Sequence, residues 1–221
     1  MRRLAAAFCA ILLGGPALAD TSYDVDGTAV LRGSGHGQTQ ERQLAAFDSI
    51  ECRLPVRLDL AIAAEPALDM TIDDNLQSRI VTRVERKTLV IEGSGSWSSD
   101  NRPRVHIAMP RLVSLTLLGS GEASVHDLPG SDFTAKILGS GDLEASGETG
   151  ELMLLIEGSG DAELQNLRAQ SARVRIDGSG DAHLNVARKL DAMVNGSGNV
   201  RYRGAPALTQ KVHGTGGIEA E

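Results

Sequence analysis

Aromatic side chains are scarce in this 221-residue sequence, which holds three phenylalanines, two tyrosines and one tryptophan, Trp97. A large aromatic core or stacking cleft is therefore not expected.

Basic residues are also in the minority, because the chain has 22 lysines and arginines against 29 aspartates and glutamates, for a net charge of −7. Since nucleic-acid affinity comes mainly from clustered Lys and Arg, this balance argues against a nucleic-acid partner.

Cysteine is almost absent as well, with Cys9 and Cys52 the only two. Cys9 lies inside an apolar run near the N-terminus and is expected to be removed with it. Cys52 then has no partner for an internal disulfide, and we expect it to be a small buried hydrophobic residue.

Long apolar runs are missing except at the N-terminus, where Leu4 to Leu13 follow Arg2 and Arg3 and precede the small-residue site Ala17-Leu18-Ala19. This pattern predicts a signal peptide over residues 1–19. A retained membrane anchor is the alternative, but the run is shorter than the roughly 18 to 20 residues of a spanning helix. We therefore expect export to the periplasm, the cell surface or the medium, with a chain that begins at Asp20 and has no membrane span.

A glycine-rich tripeptide recurs along the chain. Gly-Ser-Gly begins at seven positions and Gly-Thr-Gly at an eighth, namely Gly33, Gly93, Gly119, Gly139, Gly158, Gly178, Gly196 and Gly214. From Gly119 onward the spacings are 20, 19, 20, 18 and 18 residues. Such regularity is typical of a structural repeat and not of a flexible linker.

Apolar residues hold fixed places around each tripeptide. Two residues before its first glycine stand Leu117, Ile137, Ile156, Ile176, Val194 and Val212. Four residues after it stand Ala123, Leu143, Ala162, Ala182, Val200 and Ile218. The alternation continues in both directions with a period of two, which predicts two half-buried strands joined at a Gly-Ser-Gly corner.

A repeat of 18 to 20 residues is too short to contain a helical crossover, and its matching columns suit strands stacked on their counterparts. The sequence therefore predicts an all-β fold, a parallel β-solenoid with regular coils over residues 112–221. Residues 20–111 show short alternating strands with breaks at Pro55 and Pro66, which indicate an irregular β portion of the same body. A β-propeller is the alternative, but each of its blades needs about 40 residues.

The order of these segments resembles the head GIN domain family. The resemblance rests on Phe47-Asp-Ser-Ile50, on Asp73-Asp-Asn-Leu76 and on Leu115-Thr-Leu-Leu-Gly-Ser-Gly-Glu122 with the Gly-Ser-Gly-Asp repeats that follow. The family is named for adhesin heads of auto-transporters and has no established activity. The resemblance implies an exported bacterial β-solenoid and carries over no catalytic residues.

Residues for catalysis are not brought together by the repeat. The five histidines differ in their distance from the nearest tripeptide, and these are His36, His106, His126, His183 and His213. A stacked metal or acid-base cluster is therefore not expected. The repeated serines lack the Gly-x-Ser-x-Gly elbow of a nucleophile. We predict a protein without catalytic residues or cofactors, and the alternative is a glycan-processing enzyme with an acidic groove along the stack.

One acidic column stands directly after the corners and consists of Glu122, Asp142, Asp161 and Asp181. Carboxylates stacked roughly 5 Å apart repel one another, which raises their pKa values or recruits a cation. These four residues are the candidate cation ladder. The alternative interpretation is that they tolerate the turn geometry and face water.

These patterns favour a binding or structural module that acts without catalysis, with an envelope glycan or protein as its ligand. The C-terminal coil still carries an apolar residue in the buried column, Ile218, and its strand edges invite pairing with a second copy or a partner. Glu219 and Glu221 would oppose a second identical edge by charge repulsion.

Overall fold

The structure is a computed structural model that describes residues 21–23 and 29–221. The predicted signal peptide, its cleavage site before Asp20 and Cys9 lie outside the described residues. Within the described part, nineteen strands and one short 3₁₀ helix are present.

Ten strands and the helix precede residue 112. They are β1 (Thr21–Tyr23), β2 (Ala29–Arg32), β3 (Gly37–Glu41), β4 (Ser49–Cys52), β5 (Arg57–Ile62), β6 (Ala67–Asp73), η1 (Asp74–Arg79), β7 (Ile80–Glu85), β8 (Thr88–Gly93), β9 (Trp97–Ser98) and β10 (Arg104–Met109). β1, β2 and β9 form a small sheet of their own, whereas the others join a sheet of sixteen strands.

Nine strands follow and contain the regular repeats. They are β11 (Ser114–Gly119), β12 (Glu122–Pro129), β13 (Phe133–Gly139), β14 (Asp142–Gly158), β15 (Ala162–Gly178), β16 (Ala182–Gly196), β17 (Asn199–Arg203), β18 (Ala207–Gly214) and β19 (Gly217–Ala220). β14, β15 and β16 each run through a bulged bend, so the first and second halves of one strand belong to different faces.

Two faces result from this winding. Face A contains the strands before the corners, in the spatial order β7, β8, β4, β11, β13, the second halves of β14 to β16, and β18. Face B contains the strands after the corners, in the order β3, β6, β10, β5, β12, the first halves of β14 to β16, β17 and β19. Neighbouring coils pair in parallel, with Ile137 beside Ile156 and Ile156 beside Ile176. The predicted β-solenoid is confirmed.

The core lies between the two faces and follows the predicted columns. Leu117, Ile137, Ile156, Ile176 and Val194 are all buried, and so are Ala123, Leu143, Ala162, Ala182 and Val200 on the other face. The columns therefore point inward as the alternation predicts. Exposure rises only in the last coil, where Leu208 and Val212 are 37% and 39% exposed.

Each corner needs glycine for two separate reasons. Gly158, the first glycine of its tripeptide, has a φ of +131°, a backbone conformation that other residues rarely adopt. Gly160, the second, lies so close to the preceding coil that a Cβ would collide with the carbonyl oxygen of Gly141. Ser159 between them is exposed, and its backbone N–H donates to the oxygen of Gly139.

The strands before residue 112 are not stacked in chain order. The coil of β4 and β5 lies between the coil of β8 and β10 and the coil of β11 and β12. Beyond β8 and β10, the segment β6-η1-β7 runs antiparallel to them, and β3 adds a further antiparallel strand. Leu76 of η1 is completely buried, so this segment closes the first end of the core.

Candidate functional site

The predicted cation ladder is a column of hydrogen-bond acceptors. Oδ1 of Asp142 accepts the backbone N–H of Asp161 at 3.1 Å, and Oδ1 of Asp161 accepts that of Asp181 at 2.8 Å. Oδ1 of Asp181 accepts both the backbone N–H and the side-chain amide of Asn199, at 2.7 and 2.9 Å. Each aspartate thus ties its corner to the next coil, which explains why a short acceptor recurs at this position.

Glu122, the first member of the ladder, has arginine side chains as its partners. Its carboxylate accepts hydrogen bonds from Arg57 at 2.7 Å and from Arg102 at 2.8 Å. The hydrogen bond from Arg57 is the main reason that the pKa of Glu122 lies below its ordinary value. Among the described residues, no group of three or more His, Cys, Asp or Glu is arranged to hold a metal ion. A cation at the remaining ladder oxygens stays a prediction, which a calcium titration of the melting temperature would test.

Two histidines meet at one carboxylate on the outer surface of face B. Asp59 on β5 lies between β10 and β12, and its two oxygens contact His106 Nδ1 at 3.0 Å and His126 Nε2 at 2.9 Å. Desolvation raises the pKa of Asp59, but the hydrogen bonds and charges of the two imidazoles outweigh it, and the pKa is lowered. A surface depression of about 340 Å³ lies beside this group and is also lined by Asp69 and Arg104.

The repeat pattern does not predict this contact. The position of His106 cannot be counted from Gly93, because the polar loop 93–104 separates that tripeptide from β10. The pairing of β10 with β5 is also out of chain order. The expectation concerned a stacked metal or acid-base cluster, whereas here two histidines from different columns share one carboxylate. The two histidines come together because β10 and β12 both pair with β5, and this pairing is what the sequence pattern does not reveal.

An apolar groove crosses the outer surface of face A. It has a volume of about 250 Å³ and lies between two rows of outward side chains. One row holds Thr134, Met153 and Arg173, and the other holds Lys136, Leu155 and Arg175. Met153 is 43% exposed, the highest value among the four large apolar side chains that are exposed in the described residues. We call this feature the Met153 groove.

Cations border the Met153 groove. Nε of Arg175 forms an ion pair with Asp177 at 2.6 Å, and Arg173 lies 3.6 Å from the carboxylate of Glu151. Lys136 makes no ion pair with any residue that the structure describes. The aliphatic stems of these side chains form apolar walls, while the charged ends remain in water.

Cys52 is buried, as expected. Burial is the main reason that the pKa of its thiol rises to about 11, and the Sγ atom lies 3.7 Å from the carbonyl oxygen of Leu54. A thiol that stays protonated at neutral pH is a poor nucleophile and metal ligand. Cys52 is therefore a core residue in its chemistry as well as its position.

None of the described helices has the length and apolar character needed to cross a membrane.

Comparison with known proteins identifies one family. The family described as "Putative auto-transporter adhesin, head GIN domain" matches residues 46–206. This range includes the closed end of the solenoid, the Asp59 contact and the Met153 groove. No curated protein matches the sequence.

Several crystal structures have a similar fold. A putative adhesin from Bacteroides fragilis has a TM-score of 0.71 and 21% identity, and the match covers 86% of this chain and 100% of that one. A putative adhesin from Parabacteroides distasonis has a TM-score of 0.58 and 20% identity over 86% and 99% of the two chains. A protein from the same species described as a putative lipid binding protein has a TM-score of 0.57 and 21% identity, with coverage of 86% and 99%. At these identities the likeness establishes the fold alone.

Proposed function

This chain belongs to the head GIN domain family of putative auto-transporter adhesins, and from that premise we propose that it is an exported, non-catalytic binding module of the bacterial cell envelope. The observation that carries the proposal is the Met153 groove, an exposed apolar surface with cations along its border. Exposed apolar surface with a polar rim is a common mark of a binding site.

The chemistry of the groove favours an extended protein segment that carries both apolar and acidic side chains. Its apolar groups would pack against Met153 and Leu155, and its carboxylates would pair with Lys136. A neutral glycan fits less well, because sugar rings commonly stack on aromatic side chains, and Trp97 of β9 instead packs against the core. The proposed partners are thus an acidic envelope protein and, at a different surface, a second copy of this chain.

An array of envelope proteins and glycans, probed with the exported chain, tests this proposal. For the proteins that bind, Met153→Glu and Lys136→Glu should each weaken binding by about tenfold or more, since they remove an apolar contact and reverse a charge. Val81→Glu and Arg201→Glu are the matched controls, because both positions are exposed and lie away from the groove. Equal losses in the groove variants and the controls would contradict the proposal.

A second candidate function is the binding of an anionic acyl chain. It is supported by the apolar walls of the groove and by the similar fold of the Parabacteroides distasonis protein described as a putative lipid binding protein. Decanoate and the oppositely charged decyltrimethylammonium distinguish this function from protein binding. Saturable binding of decanoate alone, lost in Met153→Glu, would support it.

The alternative of a glycan-processing enzyme receives less support. An acidic depression of about 380 Å³ does lie on face B and includes Glu122, Asp142, Glu144 and Glu163. Glycoside hydrolysis needs a carboxylic acid whose pKa is raised so that it can donate a proton. Where the pKa of a described carboxyl group is shifted, it is lowered, and these groups are Asp59, Asp74, Glu92, Glu122, Asp177 and Glu221.

Export is part of the same proposal and depends on the signal peptide predicted for residues 1–19. N-terminal sequencing of protein from the cell envelope should find Asp20 as the first residue. Retention of Met1 in that material would contradict export by cleavage after Ala19.

A further inference from the structure

The two ends of the solenoid differ in whether the chain covers its own strand edges and core. At the C-terminal end, β18 pairs only with β16, and β19 pairs only with β17. No described strand covers the other edge of either one. Their unpaired N–H and C=O groups form a template for a further strand.

The apolar core is also open at this end. Val194 and Leu190 in β16 are fully buried, whereas their neighbours Val212 and Leu208 in β18 are 39% and 37% exposed. These two side chains continue the buried columns into water. Covering them would remove apolar surface from water, which is the main driving force for association.

At the opposite end the chain covers its own core, although Val81 on β7, the outermost strand of face A there, is 38% exposed. There η1 closes the core with Leu76, and Arg42 donates hydrogen bonds to the carbonyl oxygens of Ile80 and Gln77 at 2.8 and 3.0 Å. The outermost strand of face B at this end, β3, is entirely exposed and polar. Head-to-tail stacking would therefore set the open core at Leu208 and Val212 against an end whose core is already closed by the chain itself.

Glu219 and Glu221 repel a second copy at the C-terminal end less than the sequence suggests. Arg203 and His183 each lie 2.9 Å from the carboxylate of Glu221. The hydrogen bond from His183 is the main reason that the pKa of Glu221 is lowered. In the pairing of β17 with β19, Glu219 lies beside Arg201, a residue of opposite charge. The predicted repulsion between acidic edges is thus largely neutralised within each copy.

We propose that the C-terminal ends of two copies of this chain pair across a two-fold axis to form a closed dimer. A two-fold axis at Gln210 sets β18 antiparallel to β18 of the second copy and places Leu208 opposite Val212 of that copy. Gln210 shares the inward face with these two residues, in register with Ala192, so the side-chain amides of the two Gln210 residues meet at the axis and can hydrogen-bond each other. Thr209 then faces Lys211 of the second copy, so the lysines do not meet. The sheets of both molecules become continuous, and the two open cores close each other.

Light scattering of the exported chain across micromolar concentrations tests the dimer. The wild type should form a dimer and no larger species. Val212→Lys should weaken dimerisation by about tenfold or more, because it sets a charge against the apolar contact. His213→Lys adds the same charge to the outward side of the same strand, where it would face Ala207 of the second copy, and should leave dimerisation nearly unchanged.

Cross-linking tests the register separately. In the Gln210→Cys variant the two introduced thiols meet at the axis and should form a disulfide on mild oxidation, whereas Thr209→Cys should not. Cys52 is buried and does not compete. A strictly monomeric wild type, open-ended higher oligomers, or cross-linking at position 209 but not 210 would each overturn the proposal.

Dimerisation through β18 does not depend on the ligand of the Met153 groove. The monomeric Val212→Lys variant should still bind that ligand. Loss of dimerisation and loss of ligand binding therefore report on two different surfaces.

Discussion

Ile156 shows how each inward side chain supports the stacked coils. It is fully buried and lies between Ile137 and Ile176 of the neighbouring coils. Ile156→Asp places an unpaired charge between apolar side chains, and we expect it to lower the free energy of unfolding by about 4 kcal/mol or to prevent folding. Chemical denaturation measures this loss.

Ser159→Ala is the control, because it lies three residues away at an exposed corner. The hydrogen bond from Ser159 to Gly139 uses the backbone N–H and survives the substitution. We therefore expect a change within about 0.5 kcal/mol. Equal destabilisation by the two variants would mean that the inward face has been assigned wrongly.

Asp59 links three strands through its two histidines and is one of the carboxylates whose lowered pKa makes stability depend on pH. Its pKa in the folded chain lies below the ordinary value of 3.8. Its contribution to stability is therefore fully present above about pH 3.8 and is lost as the pH falls through the folded-state pKa. Because the group is half exposed, we expect a contribution of no more than about 0.5 kcal/mol.

Asp59→Asn tests this contribution in denaturation curves recorded between pH 3 and pH 7. The variant should lose less stability than the wild type on acidification, since Asn has no charge to lose. Glu65→Gln, at an exposed position without an ion pair to a described residue, is the control. A pH dependence identical in the wild type and Asp59→Asn would contradict the prediction.

At the level of elements, the regular strands are predictable from sequence because burial and chain geometry repeat together. Counting from each Gly-Ser-Gly places Leu117, Ile137 and Ile156 on one inward column, and the parallel register aligns them as expected. A one-residue error would turn every side chain to the other face, so the alternation determines the register strongly.

The stacking order of the first strands was not predictable in the same way. β5 lies between β10 and β12, although 41 residues of chain separate its end from the start of β10. Alternation identifies the strands but carries no information on which edge each will join. The contact of His106 with Asp59 depends on that order, and so does the antiparallel closure by β6, η1 and β7.

The hairpin between β7 and β8 contains two residues in an unfavourable backbone conformation. Arg86 and Lys87 have φ values of +48° and +68°, in a turn type that usually contains glycine or asparagine. Lys87→Gly should relieve this strain and raise the free energy of unfolding by about 0.5 kcal/mol. Thermal denaturation measures the gain.

Lys189→Gly is the matched control for the hairpin. Lys189 is also exposed but lies within β16, where glycine weakens a strand. We expect this variant to be less stable than the wild type. A loss of stability in Lys87→Gly as well would show that the turn is not strained.

At the scale of the whole molecule, each coil contacts mainly its two neighbours, so stability should vary along the solenoid axis. β15 is paired on both edges along most of its length, and the first end is closed by η1, whereas β18 is paired on one edge and all eight of its residues are exposed. Hydrogen exchange of the monomeric Val212→Lys variant should therefore be slowest in β15 and fastest in β18 and β19. In the wild type, protection of β18 should rise with protein concentration as dimers form, while protection of β15 should not change. Equal protection of β15 and β18 in the monomer would show that the coils unfold as one cooperative unit, and that the open end is as stable as the interior.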